Sequence, residues 1–75
     1  MSNTATITAT FDSMDVNVDD CATFWDAKVA LLEISHECGM TLICEDMQHY
    51  ADRHVSTMTV RSIRGQERTL TVTAR

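Results

Sequence analysis

The sequence predicts an α+β domain in which a small, three-stranded, mainly antiparallel sheet packs on one or two helices. Threonine alternates with apolar residues in TATITATF at residues 4–11, and the same pattern returns in TLTVTAR at residues 69–75. A period of two is typical of a strand with one buried face. A helical stretch lies between them, so the predicted order is β-α-α-β-β, with β-α-β-α-β-β as the alternative. A single domain over residues 1–75 is expected.

The first predicted strand turns its apolar residues to the core and its threonines to solvent. Threonine is β-branched and favours strands, and its hydroxyl is stable in water. The predicted core face of the sheet contains Ile7, Phe11, Val60, Leu70 and Val72. The predicted outer face carries Thr4, Thr6, Thr8, Thr10, Thr59, Thr69, Thr71 and Thr73, with Arg61 among them.

The first predicted helix covers about residues 18–38. Asn17 can cap its start, and Asp19 and Asp20 then fall in the first turn, where carboxylates interact favourably with the helix dipole. Gly39 can adopt the left-handed conformation that commonly follows a helix. These signals predict both ends of the helix.

Apolar residues surround well over half of this predicted helix, a wider arc than one small sheet can cover. We therefore expect either a second helix beside it or a homodimer contact. The second helix is predicted over about residues 42–54, where Thr41 can act as a cap and apolar residues recur at helical spacing. A strand at residues 40–44 followed by a shorter helix is the alternative.

The C-terminal segment predicts a β-hairpin with an odd-numbered loop around Gly65. The apolar residues of both strands fall on even positions. A two-residue loop would place Val60 opposite Thr71 and mix the two faces. A loop of three or five residues places Val60 opposite Leu70 or Val72 and keeps the faces separate.

Composition predicts a globular, non-exported chain. The 75 residues are 44% hydrophobic and 23% charged, without a Pro-, Gly- or Ser-rich linker. The first residues lack the basic and apolar regions of a signal peptide, and no apolar run approaches the roughly 20 residues of a membrane span. Three cysteines, an odd number, favour a reducing compartment over a disulfide framework. We expect a cytoplasmic protein that does not bind a membrane.

Charge is divided along the chain. Residues 1–52 contain ten carboxylates and one lysine, whereas residues 53–75 contain five arginines and one glutamate, and the whole chain has a net charge of −5. Such asymmetry favours electrostatic steering towards a charged partner. The candidate partner-binding residues are the acidic stripe Asp19, Asp26, Glu33 and Glu37, and the arginines Arg61, Arg64 and Arg68.

Neither a catalytic group nor a metal site is predicted. His36 and Cys38 lie two positions apart, so on a helix they face away from each other and His36 cannot activate the thiol. Four possible zinc ligands occur close together, but without the tight cysteine pair of a zinc knuckle, and two histidines five apart on a helix diverge by about 140°. The set kept as the alternative zinc-stabilised module is Cys38, Cys44, His49 and His54. We expect no enzymatic activity and no cofactor.

In size, acidity and lack of catalytic motifs, the chain resembles the small inhibitors that phages encode against host nucleic-acid machinery, anti-CRISPR proteins among them. This resemblance covers no alignable residues and transfers no site. It implies a non-catalytic inhibitor of a nucleic-acid-handling complex. The acidic stripe independently suggests how such a protein would act, with its acidic helix face mimicking nucleic acid and binding a basic protein or nucleoprotein. The alternative is a dimeric nucleic-acid-binding regulator that uses the arginine-bearing hairpin, although the acidic remainder of the chain disfavours direct nucleic-acid binding.

Overall fold

A computed structural model describes residues 6–18, 21 and 23–75 of the chain. In chain order the elements are β1 (Ile7–Phe11), β2 (Met14–Val16), α1 (Phe24–Glu37), β3 (Met40–His49), β4 (His54–Ser62) and β5 (Glu67–Ala74). The strands form one antiparallel sheet in the order β2-β1-β5-β4-β3. Helix α1 packs across one face of this sheet and contacts β1, β3 and β5.

The predicted three-stranded sheet on one or two helices is wrong, as are both predicted element orders. The described residues form five strands and one helix. The second helix, predicted over residues 42–54, is instead β3, which pairs with β4 as far as His49 and His54. The alternative strand at residues 40–44 is right about the start of β3 but ends it five residues too early. Strand β2 was not predicted.

The sequence of β3 does not show the alternation of apolar and polar residues that is typical of a strand, for two physical reasons. A bulge between Leu42 and Cys44 shifts the pairing with β4 and breaks the period of two. Beyond the bulge, Glu45 and Met47 pair with the buried residues Met58 and Ser56, so they share the helix-covered face. A carboxylate on that face does not match the apolar pattern of a half-buried strand.

The core lies between α1 and the central strands. Ala27 and Leu31 on the helix are fully buried, and they join a cluster with residues of β4 and β5. The prediction that Val60, Leu70 and Val72 belong to the core is confirmed, since all three are fully buried. The predicted core residues Ile7 and Phe11 are half-buried and pack against the margin of this cluster.

Helix α1 begins later than predicted. Its N-cap is Thr23, whose side chain accepts a hydrogen bond from Asp26 N at 3.1 Å, while the Asp26 carboxylate accepts one from Thr23 N at 3.2 Å. This reciprocal pair is a capping box. The prediction that Asn17 caps the helix is therefore wrong. Asp19 and Asp20, predicted for the first turn, lie outside the described residues.

The predicted end of the helix is confirmed. Cys38 is the C-cap, its N–H donates to Ile34 O, and Gly39 follows with φ of 79°. A residue with a side chain pays a steric cost in that left-handed region, and glycine does not. The chain therefore reverses directly from α1 into β3.

The β4–β5 hairpin confirms the predicted odd loop but not the predicted partner. Ser62 N donates to Gln66 O at 2.8 Å, which leaves a three-residue loop with Gly65 at φ of 86°. Val60 pairs with Arg68, two residues short of the nearer predicted partner. Because the shift is an even number of residues, the apolar and threonine faces stay separate.

The sheet face opposite α1 carries threonines, as predicted. Thr8 pairs with Thr73, Thr10 with Thr71, and Thr59 with Thr69. Within residues 6–18, 21 and 23–75 no helix covers this face. Thr4, also predicted for this face, lies outside the described part of the chain. None of the described helical residues forms a segment long and apolar enough to cross a membrane.

Candidate functional site

An open groove of about 620 Å³ lies between the C-terminal part of α1 and the beginning of β3. Val29 and Leu32 from the helix and Met40 and Leu42 from the strand supply its apolar lining. Val29 and Leu42 remain exposed to solvent. We call this feature the acidic groove, because Glu33 and Glu37 also line it.

The sequence predicts one acidic stripe that contains Glu33 and Glu37. In the structure the described residues of this stripe have two roles, helix capping and lining of the groove. Asp26 caps α1, and Asp19 lies outside the described residues. Glu33 and Glu37 are exposed, and neither forms an ion pair within the described part of the chain. Their position four residues apart puts them on the same side of the helix, one turn from each other. Two predicted binding residues are thus brought together at the groove.

Strand β3 forms one wall of the groove and is also an edge strand. In the described sheet β3 pairs with β4 on one side, and the other side of its backbone has no strand partner there. Exposed strand edges are templates on which another extended chain can pair. The bulge between Leu42 and Cys44 limits the length of regular edge to the residues on either side of it.

The three candidate arginines are spread over the hairpin and β5. Arg61 forms an ion pair with Glu67, with 2.6 Å between Arg61 Nη2 and Glu67 Oε2. Arg68 Nε lies 3.8 Å from Asp12 Oδ2. Arg64 occupies the exposed loop. Because two of the three guanidinium groups already face a carboxylate, this surface does not present the concentrated positive charge of a nucleic-acid-binding ribbon.

An ion pair that the sequence does not reveal lies at the centre of the α1–β3 contact. Lys28 is 5% exposed, and its ammonium group donates to Glu45, whose side chain is 33% exposed. The ammonium group also lies 4.3 Å from the centre of the Trp25 ring. Hydrogen bonding by Lys28 holds the pKa of Glu45 below its usual value, against the effect of desolvation, and the positive charge of Lys28 and a hydrogen bond from Ser56 also lower it.

The four alternative zinc ligands are not brought together. Cys38 ends the helix and is exposed, and Cys44 is exposed on β3, where it pairs with Thr59 of the threonine face. Among the described residues no group of three or more histidines, cysteines or acidic residues is arranged to hold a metal ion. His49 and His54, expected to diverge on a helix, instead meet across two strands with 2.7 Å between their Nδ1 atoms.

Comparison with protein-family models, curated proteins and solved structures finds no match for this chain. The resemblance to phage-encoded inhibitors, anti-CRISPR proteins among them, was based on size, acidity and the lack of catalytic motifs, and these comparisons give it no support. The described residues form a strand-dominated domain with one helix. The expected absence of enzymatic activity stays a prediction.

Proposed function

We propose that this chain is a non-catalytic protein-binding module and that its acidic groove receives a basic, extended segment of a partner protein. The observation that carries the proposal is the combination of an apolar groove with two carboxylates that lack ion-pair partners among the described residues. An apolar cleft supplies binding energy through burial, and the flanking charges select the partner.

The apolar lining sets what the partner must bury. Val29 is 52% exposed and Leu42 is 38% exposed, and they belong to opposite walls of the groove. Side chains inserted between these walls would remove both from water. Aliphatic residues of the partner, spaced along an extended segment, fit this requirement.

The charges select a basic segment. Glu33 and Glu37 provide two negative charges beside the groove, and the chain as a whole carries a net charge of −5. An acidic partner would be repelled at long range and would leave these carboxylates without compensation. Basic and aliphatic residues that take turns at every second position of an extended segment would share one face, and so could satisfy the carboxylates and the apolar lining at once.

The unpaired edge of β3 favours an extended backbone in the partner. A segment beside this edge could form main-chain hydrogen bonds, while alternate side chains turn towards the groove. The edge and the groove share β3 residues Met40 to Leu42, so one segment can use both. This mode of binding is β-strand addition, with the acidic groove next to the added strand.

Binding of a synthetic peptide tests the proposal. The probe is a peptide of about twelve residues in which lysine and leucine take turns at every second position, with threonine at the positions between them, and its counterpart has glutamate in place of lysine. We expect the basic peptide alone to bind, with an affinity that falls as salt is raised. Glu33→Gln with Glu37→Gln should weaken binding roughly two- to thirtyfold, because two exposed ion pairs are lost. Isothermal titration calorimetry measures both effects.

The double variant Asp15→Asn with Asp52→Asn is the matched control. It changes net charge by the same amount, but Asp15 lies in β2 at the opposite edge of the sheet and Asp52 lies in the β3–β4 connection. The control should bind the basic peptide almost as the parent chain does. Equal losses in the two double variants, equal binding of the acidic peptide, or no binding of either peptide would reject the acidic groove as a basic-segment site.

A further inference from the structure

A second pocket, separate from the acidic groove, lies where the start of α1 faces the end of the β3–β4 hairpin. It has a volume of about 200 Å³ and is lined by Phe24, Trp25, Met47, His49 and His54. We propose that this pocket is a binding site for a monovalent copper ion. The ligands would be the Nδ1 atoms of the two histidines and the sulfur atom of Met47.

The two histidine nitrogens are already positioned close to a chelating geometry. His49 and His54 are direct cross-strand partners, and their Nδ1 atoms are 2.7 Å apart. Metal–nitrogen bonds of about 2.0 Å at tetrahedral to trigonal angles require about 3.3 to 3.5 Å between two such atoms. The two nitrogens must therefore separate by less than 1 Å, a movement within the freedom of exposed rings. The ring that donates in the Nδ1···Nδ1 hydrogen bond must also carry its proton on Nε2 instead, so that both Nδ1 lone pairs face the ion.

The hairpin backbone holds the two histidines in register. Immediately beyond them, Tyr50 N donates to Arg53 O at 2.8 Å and closes the connection between β3 and β4. The rings of His49 and His54 pack edge to face, with 4.9 Å between their centres. Two ligands on adjacent paired strands are preorganised, so less conformational entropy is lost when an ion binds.

Met47 identifies the class of ion. It lies two residues before His49 on the same strand, so both side chains leave the same face of the sheet, and both line the pocket. A thioether is a soft ligand that selects monovalent copper over zinc, and imidazole also binds copper. Within the described residues, no third histidine, cysteine or carboxylate joins the pair to complete a zinc site.

The ammonium group of Lys28 lies 3.6 Å from the Met47 sulfur and must give way as that sulfur turns to the ion. Its ion pair with Glu45 remains available to it on the other side. Trp25 lines the same pocket and is the single tryptophan of the chain. Its fluorescence should therefore report an ion that enters the pocket.

Competition for monovalent copper against a chromogenic chelator, under anaerobic reducing conditions, tests the site. The parent is the full chain with Cys38→Ser and Cys44→Ser, because these exposed thiols would otherwise compete for soft ions. We expect one equivalent of copper to bind and to quench Trp25. His49→Gln and His54→Gln should each lower the affinity at least tenfold, and Met47→Leu should lower the affinity for copper but not for zinc.

His36→Gln is the matched control, since His36 lies on α1 beside the acidic groove. It should leave copper affinity and Trp25 quenching unchanged. Both pocket histidines are exposed, so their glutamine variants are expected to fold, which circular dichroism checks. Copper binding that survives either histidine variant, or that His36→Gln reduces as strongly, overturns the site. Loss of zinc affinity equal to that of copper in Met47→Leu overturns the assigned class of ion.

Discussion

Lys28 shows how a single residue can act against its sequence pattern. In the predicted helix it interrupts the apolar arc, which suggests exposure, yet it is 5% exposed between α1 and β3. Burying a lysine is costly unless its charge is compensated, and the partner Glu45 is 17 residues away. No local pattern connects the two residues, because their contact exists only once residues 40–49 form a strand.

The lowered pKa of Glu45 predicts how stability depends on pH. A carboxylate with a lower pKa in the folded state adds stability above its unfolded pKa, and this stability is lost as pH falls through the folded value. The ordinary value is 4.5, so the loss should occur below that pH. We expect Glu45→Gln to lower the free energy of unfolding by about 1 to 2 kcal/mol at pH 7. Urea unfolding at several pH values should show this difference shrinking towards pH 3.

The double variant Lys28→Met with Glu45→Gln provides the control for this effect. Removing both charges abolishes the unpaired ammonium group that Glu45→Gln alone leaves behind, so the double variant should be more stable than the single one at pH 7. A difference between the parent chain and Glu45→Gln that stays constant from pH 7 to pH 3 would show that the ion pair does not contribute to stability.

At the scale of elements, the end of α1 and the odd loop of the hairpin could be predicted, whereas the start of α1 and the full length of β3 could not. The end of α1 at Gly39 and the odd hairpin loop depend on local chemistry, namely a left-handed glycine and the even positions of apolar residues. Strand β3 depends on partners far along the chain. Its bulge and its ion pair remove the alternation by which a strand is recognised, and the remaining spacing resembles a helix.

Some residues of the candidate sites could be predicted from the sequence, but Met47 and the arrangement of the sites could not. The sequence pointed to Glu33 and Glu37 as a charged helix face, but the groove beside them needs β3 as its second wall. His49 and His54 were recognised as possible ligands, yet a helical assignment of their segment turned them apart. In both cases the assignment of residues 42–54 decided the outcome.

The capping box predicts a measurable contribution of Thr23 to the stability of α1. Its hydroxyl accepts the hydrogen bond from Asp26 N, a donor that otherwise has no partner within the helix. We expect Thr23→Ala to lower the free energy of unfolding by about 1 kcal/mol. Thr23→Ser retains the hydroxyl and should stay within a few tenths of the parent value. Similar losses in both variants in thermal unfolding would argue against the cap.

At the scale of the molecule, part of the apolar surface of α1 stays exposed, because the segment predicted as a second helix forms strand β3 instead. The wide apolar arc was expected to require a second helix or a homodimer contact. The part that stays uncovered includes Trp25, which is 62% exposed, and Val29 and Ile34. Glu33 and Glu37 stand within this surface. If two copies of the chain packed together through this apolar surface of α1, the negative charges of Glu33 and Glu37 on one copy would therefore repel those on the other.

This conflict predicts self-association that depends on salt. With a net charge of −5, the chain should sediment as a monomer at micromolar concentration and low ionic strength. Salt of about 0.5 M shortens the screening length to only a few ångströms and should increase the dimer fraction. Glu33→Gln with Glu37→Gln should raise the dimer fraction at low salt, whereas Asp15→Asn with Asp52→Asn should raise it much less. A dimer that forms at low salt and responds equally to both variants would place the contact between copies away from α1, and leave the acidic groove open to a basic partner.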